Sequence, residues 1–101
     1  MRDERFEWDD AKAVANWAKH GVSFADARAV FDDPDAFDRV DSRRDYAEVR
    51  KILIGRASMR TLTVIYTEPL GRSRVISARR ANATERDEYD ERAGKDGLGR
   101  A

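Results

Sequence analysis

Cysteine is absent from this chain. Disulfide scaffolds, Cys-ligated zinc and thiol catalysis are thereby excluded, and a reducing cytoplasm is the natural setting. Net charge is absent too, since 20 Lys and Arg balance 20 Asp and Glu. No apolar run approaches the roughly 20 residues of a membrane helix. The opening Met1-Arg2-Asp3-Glu4-Arg5 has no apolar stretch behind it, so neither a membrane association nor a signal peptide is expected. Histidine occurs once, at His20, leaving one side chain that ordinarily titrates near neutrality. Repeats and low-complexity tracts are also missing.

What is present fits one small domain. The 101 residues are 41% hydrophobic and 40% charged, which predicts a modest core under a heavily ionic surface. The expected domain spans residues 1–92; Gly94, Gly97 and Gly99 mark residues 93–101 as a flexible tail. The charge is sorted along the chain. Between Arg50 and Arg80 stand Arg50, Lys51, Arg56, Arg60, Arg72, Arg74, Arg79 and Arg80 against Glu68 alone, a local net of +7 that leaves −7 for the other 70 residues. Such a block in strand-like sequence predicts a surface for a polyanion, nucleic acid first, bound with steep salt dependence.

The pattern predicts β-α-α-β-β-β-β-α. Phe6-Glu7-Trp8 reads as a short edge strand. Asp9 is a good N-cap for a helix over Asp10 to Lys19, with Val14, Trp17 and Ala18 on its buried stripe and Gly21 closing it. Ser23 caps a second helix with Phe24, Ala27, Val30 and Phe31 inward, stopped by Pro34. Strands follow at Phe37 to Val40, Val49 to Arg56, Thr61 to Glu68 and Arg74 to Arg79. They are separated by a polar loop over Asp41 to Asp45, a turn at Ala57 to Arg60 and the Pro69-Leu70-Gly71 turn. Thr84 caps a short charged helix from Glu85 to about Arg92. The result is an α+β domain: an antiparallel sheet of about four strands, an N-terminal helix pair on one face and a short C-terminal helix.

Alternation in the last strand puts Ile76 and Ala78 inward, with Arg74 and Arg80 at the ends of that face. Val75, Ser77 and Arg79 fall on the opposite, open face. In the strand before it Leu62, Val64 and Tyr66 form the more apolar set, so Tyr66 packs toward the helices unless a bulge turns it outward. An arginine beside a hydroxyl on an open sheet suits a phosphate oxygen, since its planar fork donates two hydrogen bonds at once. Strand arginines also serve simply to keep a sheet soluble. The acids Asp32, Asp33, Asp35, Asp38 and Asp41 do not follow a calcium-loop spacing and read as a solvated turn, so no metal is expected. Trp8 and Trp17 read as core anchors.

Several segments resemble the BrnT toxins. In the N-terminal half these are Phe6-x-Trp8-Asp9-x-x-Lys12, Asn16-x-x-Lys19-His20-Gly21-Val22-x-Phe24 and Val30-Phe31-Asp32-Asp33-Pro34. In the C-terminal half they are Glu48-x-Arg50-x-x-x-Ile54-Gly55, Val64-x-Tyr66-Thr67-Glu68 and Arg74-Val75-Ile76-Ser77-Ala78-Arg79-Arg80-Ala81, with Glu85 and Tyr89 beyond. The resemblance covers roughly residues 6 to 91. It implies a RelE-like fold and a metal-independent endoribonuclease toxin of a type II toxin–antitoxin pair that inhibits translation and needs no cofactor. It also implies RNA as substrate, in enzymes of this fold often mRNA held on the ribosome. The implied partner is a BrnA-type antitoxin with a ribbon-helix-helix portion, operator DNA being reached only through that complex.

Cleaving RNA without metal requires a base for the 2′-hydroxyl, a stabiliser for the dianionic phosphorane and an acid for the departing 5′-oxygen. Arg79 is the first choice for phosphate stabilisation and Arg50 the second, unless Arg50 is held by Glu48 or Glu68. His20 suits proton transfer, although its place at a helix end equally suits the macrodipole. Tyr66 could donate a proton, or simply pack. Lys19, Arg56, Arg74, Ser77 and Arg80 are candidates to guide RNA. Glu85 and Tyr89 read as either site residues or cap and docking chemistry. The rival reading is a non-catalytic RNA- or partner-binding module of the same fold.

Overall fold

The computed structural model describes residues 1–41 and 49–98. The elements run in the expected order: β1 (Phe6–Glu7), α1 (Asp10–His20), α2 (Phe24–Val30), β2 (Phe37–Val40), β3 (Lys51–Ala57), β4 (Arg60–Thr67), a single 3-10 turn at Pro69–Gly71, β5 (Ser73–Arg80) and α3 (Ala83–Leu98). Residues 42–45 of the predicted polar loop, Glu48 and residues 99–101 lie outside the described residues.

The sheet differs from the prediction. It has five strands in the order β1-β5-β4-β3-β2, and it is mixed, because β1 runs parallel to β5 through Phe6↔Ser73 and Glu7↔Arg74. Two residues carry too little alternation to reveal a partner, and the pairing joins segments 67 residues apart. The other three pairings are antiparallel. The β3–β4 hairpin closes through Ser58 and Met59, both left-handed at φ 51° and 63°, the backbone that matches the twist of the flanking strands.

α1 and α2 cover one face, over a core that includes Val22, Phe24, Ala27, Val30, Leu53, Leu62, Val64, Tyr66, Val75 and Ala78. Tyr66 therefore packs toward the helices, edge-on to Phe31 at 4.9 Å between centroids. Trp8 does anchor on this core, edge-on to Phe24. Gly55 lets the α2–β2 connection press onto β3, since a Cβ there would lie 2.7 Å from Ala36 and 2.9 Å from Val30.

The opposite face is not open. α3 lies across it, burying Thr63, Ile54, Ile65, Glu85 and Tyr89. Its cap is Asn82 rather than Thr84: Asn82 Oδ1 accepts from the Glu85 N–H while Glu85 Oε1 accepts from the Asn82 N–H, a reciprocal capping box. α3 also continues past Arg92 to Leu98. Tyr89 donates to Asp33 Oδ2 at 2.7 Å, and the same oxygen accepts the Arg56 N–H. Asp33 is thus a structural clamp rather than part of a solvated turn, and Asp41 is buried as well. Burial alone pushes the Asp33 carboxyl up, but those donors outweigh it and hold it below its ordinary value.

Alternation fails once in β5. The pairs Ile65↔Ser77 and Tyr66↔Val75 leave Ile76 without a partner, a bulge that sets Val75 on the core face together with Ala78. Ser77 and Arg79 remain on the other face, both half-buried, with Arg79 held to α3 through Glu85.

Candidate functional site

α1 is built as the sequence suggests and oriented as it does not. Asp9 accepts from the N–H groups of Ala11 and Lys12, and Gly21 closes the helix in the left-handed region at φ 64°. Val14 and Trp17, expected in the core, are instead 71% and 60% exposed, and Ala18 is exposed with them. The inward residue is Asn16, only 6% exposed. β1 is so short that the edge of β5 beyond Arg74 has no neighbouring strand. Asn16 stands in for one: its Nδ2 donates to the Ala78 carbonyl at 2.8 Å, its Oδ1 accepts from the Ala78 N–H at 3.1 Å, and Nδ2 also reaches the Val22 carbonyl. A primary amide carries its donor and its acceptor on separate atoms side by side, so it can meet a strand's C=O and N–H together. That contact fixes the rotation of α1 about its axis.

The rotation brings Lys12, Ala15, Asn16, Lys19 and His20, all on one helical face, alongside Ile76 and Ser77 of β5. They line a shallow cleft of about 220 Å³. Two lysines and a histidine stand on one wall, with a serine on the other, so the lining of the cleft carries basic side chains and no carboxylate. A larger cavity of about 340 Å³ is lined by Val49, Lys51, Thr67, Glu68 and Pro69. Lys51 and Glu68 neutralise each other there at 2.6 Å, which leaves it poorly suited to an anion.

Of the expected site residues, the cleft gathers Lys19, His20 and Ser77. Arg79 lies two residues beyond Ser77 on the same face, and its guanidinium is engaged. It donates to both Glu85 oxygens at 2.8 and 2.9 Å and to the Arg80 carbonyl. Burial alone pushes the Glu85 carboxyl up, but Arg79, the Asn82 N–H and the Thr63 hydroxyl outweigh it and hold it at about 2. Arg74 is paired with Glu7, and Arg60 with Asp26 and the Gly21 carbonyl. Arg72 donates to the Asp3 carbonyl. Arg56 and Arg80 have exposed side chains without a hydrogen bond or ion pair among the described residues.

Tyr66 and Arg50 stand apart from the cleft. The Tyr66 hydroxyl donates to Asp38 at 2.9 Å beneath the helix pair, and burial followed by the Asp38 carboxylate pushes its pKa well up. Arg50 precedes β3, its carbonyl accepting from the Asp41 N–H. Register places it four residues from Ile54, which aligns through Thr63 with Arg79, a separation of roughly 13 Å along the strands. Glu68, one of its expected partners, pairs with Lys51.

Lys12 and Asn16 carry no role in the sequence reading. Lys12 is legible only once the facing side of α1 is known, through its seven-residue spacing to Lys19. No three His, Asp or Glu side chains converge as a metal site among the described residues, and none of the described helices is long and apolar enough to cross a membrane.

A family model described as the ribonuclease toxin BrnT of type II toxin–antitoxin systems matches residues 8–85. No curated protein matches the chain.

Proposed function

Since the chain belongs to the BrnT family of type II toxin–antitoxin ribonuclease toxins, we propose that it cleaves RNA in the cleft between α1 and β5, without metal, by attack of a 2′-hydroxyl on the adjacent phosphorus. The 2′-oxygen forms the new P–O bond and the P–O5′ bond breaks, giving a 2′,3′-cyclic phosphate and a 5′-hydroxyl. His20 takes the proton from the 2′-hydroxyl, and water gives one to the departing 5′-oxygen. Lys12 and Lys19 neutralise the non-bridging oxygens as their charge grows. Arg79, held by Glu85, is a fixed positive group behind Ser77, and Arg56 and Arg80 guide the strand. In this reading Tyr66 packs the core and Arg50 supports β3. The fold is of the RelE type, the setting is the cytoplasm, the outcome is arrested translation, and a BrnA-type antitoxin neutralises the enzyme.

The observation that carries the reading is the convergence of the only histidine with Lys12 and Lys19 in one cleft of a chain from a ribonuclease family. The test is cleavage of a labelled RNA by wild type, His20→Gln and Lys12→Ala/Lys19→Ala in the presence of chelator. Loss of about 100-fold or more in the histidine variant is expected, with a larger salt sensitivity lost in the lysine variant. Full activity of His20→Gln would remove the assignment. The engagement of Arg79 by Glu85 favours a second reading, a non-catalytic RNA- or partner-binding module. That reading requires RNA binding without cleavage by the wild-type chain.

A further inference from the structure

α1 buries a polar side chain beside Ala13 and leaves most of its larger apolar side chains in solvent. Asn16 is buried against β5, whereas Val14, Ala15, Trp17 and Ala18 are all exposed. Isolated exposed apolar side chains are ordinary, but a whole outward helical face made of them marks a surface that something covers. Alanines at 15 and 18 let another backbone approach closely, and Val14 and Trp17 supply the larger contacts. Lys12 and Lys19 run along one margin, seven residues and two turns apart, each exposed. No carboxylate stands between them on that side of α1. A cover of complementary charge is therefore apolar along its centre and acidic along one edge.

We infer that the outward face of α1 is the seat of the antitoxin, which lays an amphipathic helix across Val14 and Trp17 and sets acidic side chains against Lys12 and Lys19. The inference rests on the toxin–antitoxin partnership above and adds to it the place and the manner of neutralisation. Carboxylates seated on Lys12 and Lys19 take the cations of the RNA cleft, so one helix both anchors on the apolar ridge and displaces the substrate phosphate. Binding and inhibition then share two side chains. A second copy of this chain fits the margin less well, since it would bring lysines against lysines if packed about a two-fold axis.

The test uses the full chain with its cognate antitoxin. Val14→Glu/Trp17→Glu is titrated against that antitoxin by calorimetry, with circular dichroism melts to establish that it folds; Val14→Ala/Trp17→Ala is the milder companion. The expected result is a loss of affinity of at least 100-fold in the first variant and about 10-fold in the second, with free RNA cleavage unchanged but no longer inhibited. Affinity within threefold of wild type in either folded variant overturns the inference. So does light scattering that shows the wild-type chain dimeric and the glutamate variant monomeric, which would assign the face to self-association. If wild type and variant both fail to cut RNA, the ribonuclease reading falls while the titration still decides this one.

Discussion

Replacing Asn16 by alanine would leave the N–H and C=O of Ala78 facing the underside of α1 without a partner. Buried groups orphaned in this way cost about 1–3 kcal/mol each, so Asn16→Ala should lower the unfolding free energy by roughly 2–4 kcal/mol in urea titrations, while Asn16→Gln, with the amide displaced by one methylene, recovers only part of it. An unchanged midpoint would show that water replaces the amide. The sequence reading misses Asn16 because a polar residue between Val14 and Trp17 looks like the solvent side of an amphipathic helix. Glu85 gives a second residue-scale prediction. A carboxyl held at about 2 against an ordinary 4.5 corresponds to about 3 kcal/mol of native-state stabilisation. Because the folded value is depressed, that stabilisation is fully present above the ordinary value and is lost as pH falls from about 4.5 to about 2. The stability difference between wild type and Glu85→Gln should therefore shrink across that window. A difference that stays constant would show that Glu85 is not the group that titrates.

At the scale of elements, what the sequence reveals depends on how local the cause is. Asp9, Ser23 and Gly21 delimit α1 and α2 as expected because capping is decided within four residues. The apolar core residues of α2 and β4 are likewise legible from spacing. The parallel β1 pairing, the bulge at Ile76 and the placement of α3 over the second face depend on partners 22 to 67 residues distant or on a single unpaired residue, and no local pattern encodes them. The same limit governs the site: Lys19, His20 and Ser77 were readable as candidates, but their union with Lys12 required the rotation set by Asn16. The β3–β4 hairpin carries a prediction of its own. Ser58 and Met59 occupy left-handed backbone without being glycine, at a cost of about 1–2 kcal/mol per residue, and Met59 projects into solvent. Met59→Gly should raise the thermal midpoint by several degrees, consistent with about 1 kcal/mol. A lower midpoint would mean that the exposed methionine contributes more than its backbone costs.

For the whole molecule, half of the basic band from Arg50 to Arg80 is answered by carboxylates, one of them inside the band and three from elsewhere in the chain. Lys51, Arg60, Arg74 and Arg79 pair with Glu68, Asp26, Glu7 and Glu85. Three of the outside acids, Asp26, Glu7 and Glu85, are thus folded back onto the +7 block, which the linear charge pattern could not reveal. Among the described residues, Lys12 and Lys19 stand exposed along the cleft, with Arg56 and Arg80 exposed on the strands. Salt dependence distinguishes the two pictures. For single strands log K falls with log salt at about 0.7 per phosphate neutralised, so eight free cations would give a slope near −6, whereas two or three in a cleft give about −2. Fluorescence anisotropy of a short labelled RNA between about 50 and 300 mM salt should therefore yield the shallow slope for the free chain. Lys12→Ala/Lys19→Ala should remove most of it, and Arg74→Ala should leave it unchanged. A slope near −6 would mean that the ion pairs open to meet the RNA, and the strand arginines would then return to the substrate surface.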